Sequence, residues 1–269
     1  MAKLGTDIKA VWIASAARCG SMWTFNVTRR IVEAAGLELL PKLVPQDDAV
    51  MFRVGVDGLG DPAADRVRVL KLHAHLPRDL PRSRFIVPRR DVRDAMVSYM
   101  RFMRCDFERA LGYVCDAVAT ARHYADFPRD RTLPLEYADI IARPAAVARA
   151  IAQFLAAPVD DRTLYGIVRG YSKENVSRLI SKKERDLSRR SQAGLPVAAE
   201  ELVVLGPHHM RVFDTSTGFQ SGHVSQYREG DWKALLTPAQ KARLEAQIAD
   251  LAHESPSGPP EEPRRRFGE

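Results

Sequence analysis

The chain is poor in cysteine, with three in 269 residues: Cys19, Cys105 and Cys115. The count is odd and no pair has CxxC spacing, which argues against a disulfide framework and against a thiolate zinc site. No apolar run reaches the roughly 20 residues of a membrane-spanning helix. Residues 1–12 lack the basic, apolar and small-residue order of a secretory signal. A reducing cytoplasm is therefore the expected compartment. Aromatic residues make up 7% and are not interleaved with the basic clusters, so the stacking platform of a single-strand nucleic-acid binder is missing. The histidines are not grouped for metal binding, and His208 and His209, being adjacent, point differently. No metal is expected.

What is present is enough apolar residue, 45%, to bury a substantial core, and an excess of basic over acidic side chains that leaves a net charge of +7. The length predicts a single domain over residues 1–253, followed by a tail, 254–269, whose proline, glycine and charge predict disorder. A net positive charge favours an anionic partner. The basic residues are spread along the chain and no recognised nucleic-acid motif occurs, so a small anionic ligand is expected and a nucleic acid is not.

Apolar patterning alternates between strand and helix. Strands are predicted at 8–15, 65–75, 84–88 and 131–137, and helices at 22–35, 91–104, 144–156 and 237–252. The alternation predicts an α/β fold, a central parallel sheet flanked by helices, with ligands at the carboxyl ends of the strands. Residues 172–200 are polar and basic and read either as a solvated helix with a mobile loop or as a lid over a charged ligand.

Two stretches carry the chemistry. In "IASAARCGSMWTFN", residues 13–26, a strand breaks at a glycine and resumes as a helix. Such a turn leaves the first N–H groups of the helix without partners, and they attract an anion together with the positive end of the helix dipole. Gly20 allows close backbone approach, Ser21 can cap the helix or donate its hydroxyl, and Arg18 adds a permanent charge. An ordinary strand-to-helix connection with a surface arginine is the alternative. In "RFIVPRRDVRDAMVSYMRF", residues 84–102, a strand delivers Arg90, Asp91 can cap the next helix, and Ser98 lies about two turns on. Arg90 and Ser98 can then grip one phosphate; alternatively Asp94 pairs with Arg90 or Arg101 at helical spacing.

Together these stretches resemble the signatures of the sulfotransferase family, enzymes that use 3′-phosphoadenosine 5′-phosphosulfate (PAPS). "SAARCGSMW" is similar to the family's 5′-phosphosulfate loop, with Arg18, Gly20, Ser21 and Trp23 at the expected offsets and Ala17, Cys19 and Met22 in place of proline, serine and threonine. Arg90 and Ser98 match its 3′-phosphate element. "LPLEYADIIARPAAVARAIAQFLAAP" (133–158) and "REGDWKALLTPAQKARLEAQ" (228–247) are similar to two further family elements in the same chain order. The resemblance implies a P-loop NTPase-like architecture, with PAPS as co-substrate and no metal.

The resemblance also implies site residues. The phosphosulfate loop would supply Arg18, Cys19, Gly20, Ser21, Met22 and Trp23, the last stacked on adenine or else part of the core. Tyr137 and Ser172 fall near the positions that contact the base. "VLKLHAHLP" (69–77) is similar to the family's lysine, any residue, histidine pattern as though two residues were inserted. Lys71 and His73 match its first half, and His75 precedes Leu76 and Pro77. Period-two geometry would put both imidazoles on one face, and His73 is favoured over His75 as the base. Arg18 would stabilise charge on the leaving phosphate, since guanidinium is no general acid at neutral pH.

The chain departs from the family just before Trp232. No clean arginine, lysine, glycine element occurs there, and Gly222 with His223, or Arg228 with Gly230, are the candidates for holding the 3′-phosphate. Acceptor pockets in the family are built by variable loops, expected here at 41–64, 101–115 and 185–225. A small-molecule, glycan or natural-product acceptor is implied, and the oligomeric state is left open. A non-catalytic nucleotide-binding relative is the alternative. A P-loop kinase requires a lysine that residues 13–24 lack.

Overall fold

The computed structural model describes Leu4, residues 7–206 and residues 209–253. The tail 254–269, with its expected disorder, and His208 lie outside the described residues. Five parallel strands form the central sheet: β1 (Ala10–Ala14), β2 (Glu38–Leu40), β3 (Arg66–Leu72), β4 (Ser83–Arg89) and β5 (Thr132–Glu136), in the order β2-β3-β1-β4-β5. β1 lies in the middle and all five of its residues are buried, as expected for a strand covered on both faces. Because β3 and β4 flank it, the segments that leave the carboxyl ends of β1, β3 and β4 emerge side by side. That edge is where Arg18, His73 and Arg90 are delivered.

Helices α1 (Ser21–Ala34), α2 (Asp48–Asp57), α3 (Val92–Met103) and α4 (Phe107–Ala125) belong to the first half of the chain. They are followed by α5 (Tyr137–Ala142), α6 (Pro144–Phe154), α7 (Asp161–Gly170) and α8 (Lys173–Gln192). An antiparallel hairpin of β6 (Leu202–Gly206) and β7 (His209–Val212) precedes α9 (Trp232–Leu235) and α10 (Pro238–His253). The polar stretch 172–200 is mostly α8, which buries Val176, Ile180 and Leu187. Glu201 anchors it by accepting from Arg190 at 2.7 Å and from Lys183.

Several expected boundaries move. The segments 41–64 and 101–115 are not continuous loops, because they contain α2 and the first turns of α4. Asp47 starts α2 by accepting from the Ala49 and Val50 amides, and Asp106 starts α4 by accepting from Arg109. The segment 185–225 likewise contains the end of α8 and the hairpin. The strand expected over 65–75 ends at Leu72, so the alternation cannot be extended through His73 and His75.

α2 lies against the sheet through a glycine. A Cβ on Gly55 would come within 2.0 Å of Trp12 Cη2 and 2.4 Å of Leu70 Cδ1. Trp12 has no room to yield, since it is fully buried and its indole N–H donates to Ser83 Oγ at 3.0 Å. Alanine favours a helix over glycine by up to about 1 kcal/mol, yet overpacking costs about 1–3 kcal/mol. Gly55→Ala is therefore expected to lower the urea midpoint without changing the slope. A raised midpoint would show that propensity outweighs this contact.

Candidate functional site

The turn after β1 is held in a conformation that ordinary side chains avoid. Arg18 has φ 68° and Gly20 has φ 92°, both left-handed. At Gly20 a Cβ would also sit 3.1 Å from Tyr137 Cδ2 and Ile140 Cδ1, so both backbone and space call for glycine. Gly20 occupies the N-cap position of α1, and no side chain caps that helix. Ser21 is buried as the first helical residue and does not cap, contrary to one expectation. The amides at the start of α1 thus keep the anion-attracting character of a helix N-terminus. Burial pushes the Cys19 thiol up to about 12, so it stays protonated and unreactive. Met22 packs beside Gly218, and Trp23 is half-buried against the main core.

Two arginines meet at this turn. Arg18 Nε donates to Ser98 Oγ at 3.1 Å, and its Nη2 donates to the His223 carbonyl at 3.2 Å. Arg90 Nη1 donates to the Arg18 carbonyl at 3.2 Å, while its guanidinium lies 4.2 Å from the centroid of the Tyr137 ring. Arg90 Nε and Nη2 are buried without any hydrogen-bond partner. Tyr113 donates its hydroxyl to the Ala17 carbonyl at 2.6 Å, fixing the turn from α4. Among the described residues neither arginine forms an ion pair with a carboxylate. Burial, reinforced by Arg90 and Arg211, brings the Arg18 pKa down to about 10, which leaves it charged at neutral pH. Buried cations without a counter-charge are costly, and an anion would offset that cost.

The residues after β3 diverge. His73 Nδ1 lies 2.8 Å from the Ser15 carbonyl, an acceptor only, so Nδ1 carries the proton and Nε2 the lone pair. That lone pair faces Lys71 Nζ at 3.2 Å, and the His73 amide donates to Asp48 Oδ2 at 2.7 Å. Burial first, then the Lys71 ammonium, holds the His73 pKa well below its ordinary 6.5. His75 turns away: it is exposed, its Nε2 lies 3.3 Å from Thr120 Oγ1, and its ring stacks on His123 at 4.4 Å. The expectation that both imidazoles share a strand face is therefore wrong, because the strand has already ended.

Of the other expected residues, Tyr137 opens α5 beneath Arg90 and beside Gly20. Gly222, with φ 79°, precedes His223, whose Nδ1 accepts from the Gln220 amide at 2.8 Å. Ser172 spends its hydroxyl capping α8, accepting from the Asn175 amide at 3.2 Å. Arg228 is exposed, and its amide donates to Asp231 Oδ2 at 2.7 Å. Asp94 does not pair with Arg90 or Arg101; its buried carboxylate accepts from the amides of Gly230 at 2.8 Å and Trp232 at 3.4 Å. Arg211, Phe102, Tyr113 and Asp48 were not singled out from sequence, and only their position beside the turn reveals them. A cleft of about 310 Å³ between residues 44–50 and 199–200 contains none of these groups. Among the described residues no group of three or more histidine, cysteine or acidic side chains is placed to hold a metal, and no helix is long and apolar enough to cross a membrane.

Comparison with known proteins adds two findings. Residues 66–161 match the model of the sulfotransferase family; no curated protein matches the chain in sequence. Among solved structures, retinol dehydratase in complex with androsterone and the inactive cofactor PAP superposes with TM-score 0.58 at 16% identity, over 93% of this chain and 82% of that one. A mouse sulfotransferase complexed with PAP gives TM-score 0.58 at 18% identity, over 93% and 85%. At these identities the likeness is one of fold. The chain thus carries the sequence pattern of the sulfotransferase family in residues 66–161 and shares the fold of these two proteins over nearly all of its length.

Proposed function

We propose that this chain transfers a sulfuryl group from PAPS to a hydroxyl or amine of a small-molecule, glycan or natural-product acceptor. The observation that carries the reading is the pair Arg18 and Arg90 at the uncapped N-terminus of α1, with two Arg90 donors buried and unpartnered. Two cations and a row of helix amides suit a nucleotide with phosphate at both ends. That two proteins of this fold were crystallised with PAP supports the choice of nucleotide.

In this reading the α1 amides and Arg18 hold the 5′-phosphosulfate, and Arg90 with Ser98 holds the 3′-phosphate. Tyr137 and Trp23 border the nucleotide. PAPS supplies the sulfuryl group. Arg18 stabilises the charge that develops on the departing 5′-phosphate, and the acceptor's proton passes to Nε2 of His73. Lys71 occupies that lone pair at 3.2 Å and turns to the sulfuryl oxygens when they arrive. Residues 1–253 form the catalytic unit, and the three free thiols accord with a reducing cytoplasm.

Calorimetric titration with PAP, followed by transfer of label from ³⁵S-PAPS to a panel of hydroxyl and amine acceptors, tests the reading. At a hundred times its Kd, PAP should stabilise the protein by about 2.7 kcal/mol, a rise of roughly 5–10 °C in Tm for a chain of this size. An absence of heat and of any melting shift would overturn the site. Binding without transfer to any acceptor would mark a nucleotide-binding relative that lacks turnover.

A further inference from the structure

Arg211 lies on β7, outside every motif that the donor nucleotide uses. It is 6% exposed, and its Nη1 is buried with no hydrogen-bond partner. Its guanidinium sits 3.7 Å from the centroid of the Phe102 ring. The same ring carries Arg18 at 4.4 Å and a parallel His223 imidazole at 5.1 Å. Among the described residues Arg211 forms no ion pair.

Desolvating a guanidinium is costly, and the cation–π contact with Phe102 offsets only part of that cost. Burial and the nearby Arg104 lower its pKa to about 10, leaving it cationic at neutral pH. Its ring contacts locate it. Arg211, Arg18 and His223 share the Phe102 ring, whereas Arg90 lies over the Tyr137 ring. Arg211 therefore stands on the Phe102 side of Arg18 and not with Arg90, and both Arg211 and Phe102 belong to the segments, 185–225 and 101–115, expected to build the acceptor pocket.

Resting on the sulfotransfer reading above, we infer that the acceptor is itself an anion, whose carboxylate, sulfate or phosphate group is bound by the unpartnered guanidinium of Arg211 beside Phe102. The group recognised is separate from the hydroxyl or amine that receives the sulfuryl group.

Benzoate and benzamide, equal in shape and differing in charge, test this. Neither carries a hydroxyl, so each is titrated with PAPS in place and the sulfuryl position filled. Benzoate is expected to bind at least tenfold tighter than benzamide. Arg211→Gln should abolish that preference and Arg211→Lys should keep most of it, with PAP affinity unchanged in both. Equal affinities, no benzoate binding, or a preference that survives Arg211→Gln would overturn the inference. A tenfold loss of PAP affinity in either variant would move Arg211 into the nucleotide site and also overturn it. Should Arg211→Gln fail to fold, the wild-type preference and the Arg211→Lys variant still decide. If PAP does not bind the wild-type protein, the sulfotransfer reading falls instead.

Discussion

His73→Ala is expected to lower turnover by about 10²–10⁴, the range of a positioned general base, while PAP affinity stays within about a factor of two. The expectation rests on the tautomer: Nδ1–H is committed to the Ser15 carbonyl, which leaves Nε2 as the basic atom and fixes where it points. The sign of the pH dependence follows from the lowered pKa. A base must be deprotonated to act, and one whose pKa is lowered to about 4 is already deprotonated at pH 6. The value of kcat/KM for the donor, which reports the free enzyme, is expected to stay level from pH 7.5 to 6 and to fall only in more acid solution. His75→Ala is the control. Its ring stacks on His123 away from the turn, so its loss is expected to leave turnover nearly intact. A larger loss from His75→Ala than from His73→Ala would reverse the assignment.

Arg18→Gly is expected to lower turnover by about 10²–10³, as removal of a charge-stabilising donor does in preorganised sites. Glycine is preferred to alanine here because the residue has φ 68°, where alanine would add strain of its own. Such a variant is not expected to melt earlier without ligand. Burial opposes the charge of Arg18, so the folded protein carries a cost that the ligand relieves, and deleting the side chain removes both cost and benefit. Melting curves with and without PAP check this: the unliganded Tm is expected to hold or rise while the PAP-induced shift shrinks. An early-melting variant that keeps its turnover would show that Arg18 serves the fold. Arg18→Lys should retain part of the rate, since a charge remains while the bonds to Ser98 and the His223 carbonyl are not both reproduced.

Much of this was legible beforehand. The strands around 10–14 and 83–89 announce themselves by largely apolar runs, as a sheet covered on both faces favours, and the strand around 66–72 by alternation. Arg18, Gly20, Arg90 and Ser98 were legible because turn chemistry is local: each lies at a strand end or on the helix that follows. α2 was missed although Asp47 advertises a cap, since its β-branched residues and Gly55 weaken the helical pattern; the reason for that glycine, the close approach of Trp12, is tertiary. The histidines show the other limit. Alternation predicts a shared face only while the strand lasts, and where β3 stops depends on pairing with its neighbours. Arg211 had no local signal at all. What singles it out, a buried Nη1 with no hydrogen-bond partner among the described residues, only a three-dimensional arrangement can display.

The order β2-β3-β1-β4-β5 has a bearing on biosynthesis. Arg18, His73 and Arg90 come from three separate chain segments and reach one edge of the sheet only because β3 and β4 have both zipped onto β1. On the nucleotide reading, a nascent polypeptide therefore lacks the paired arginines until β4 has left the ribosome and closed its non-local pairing, the slow kind of step in such topologies. No excised peptide carrying the first turn alone can reproduce the grip; ligand capture reports that the sheet has been completed through its fourth strand.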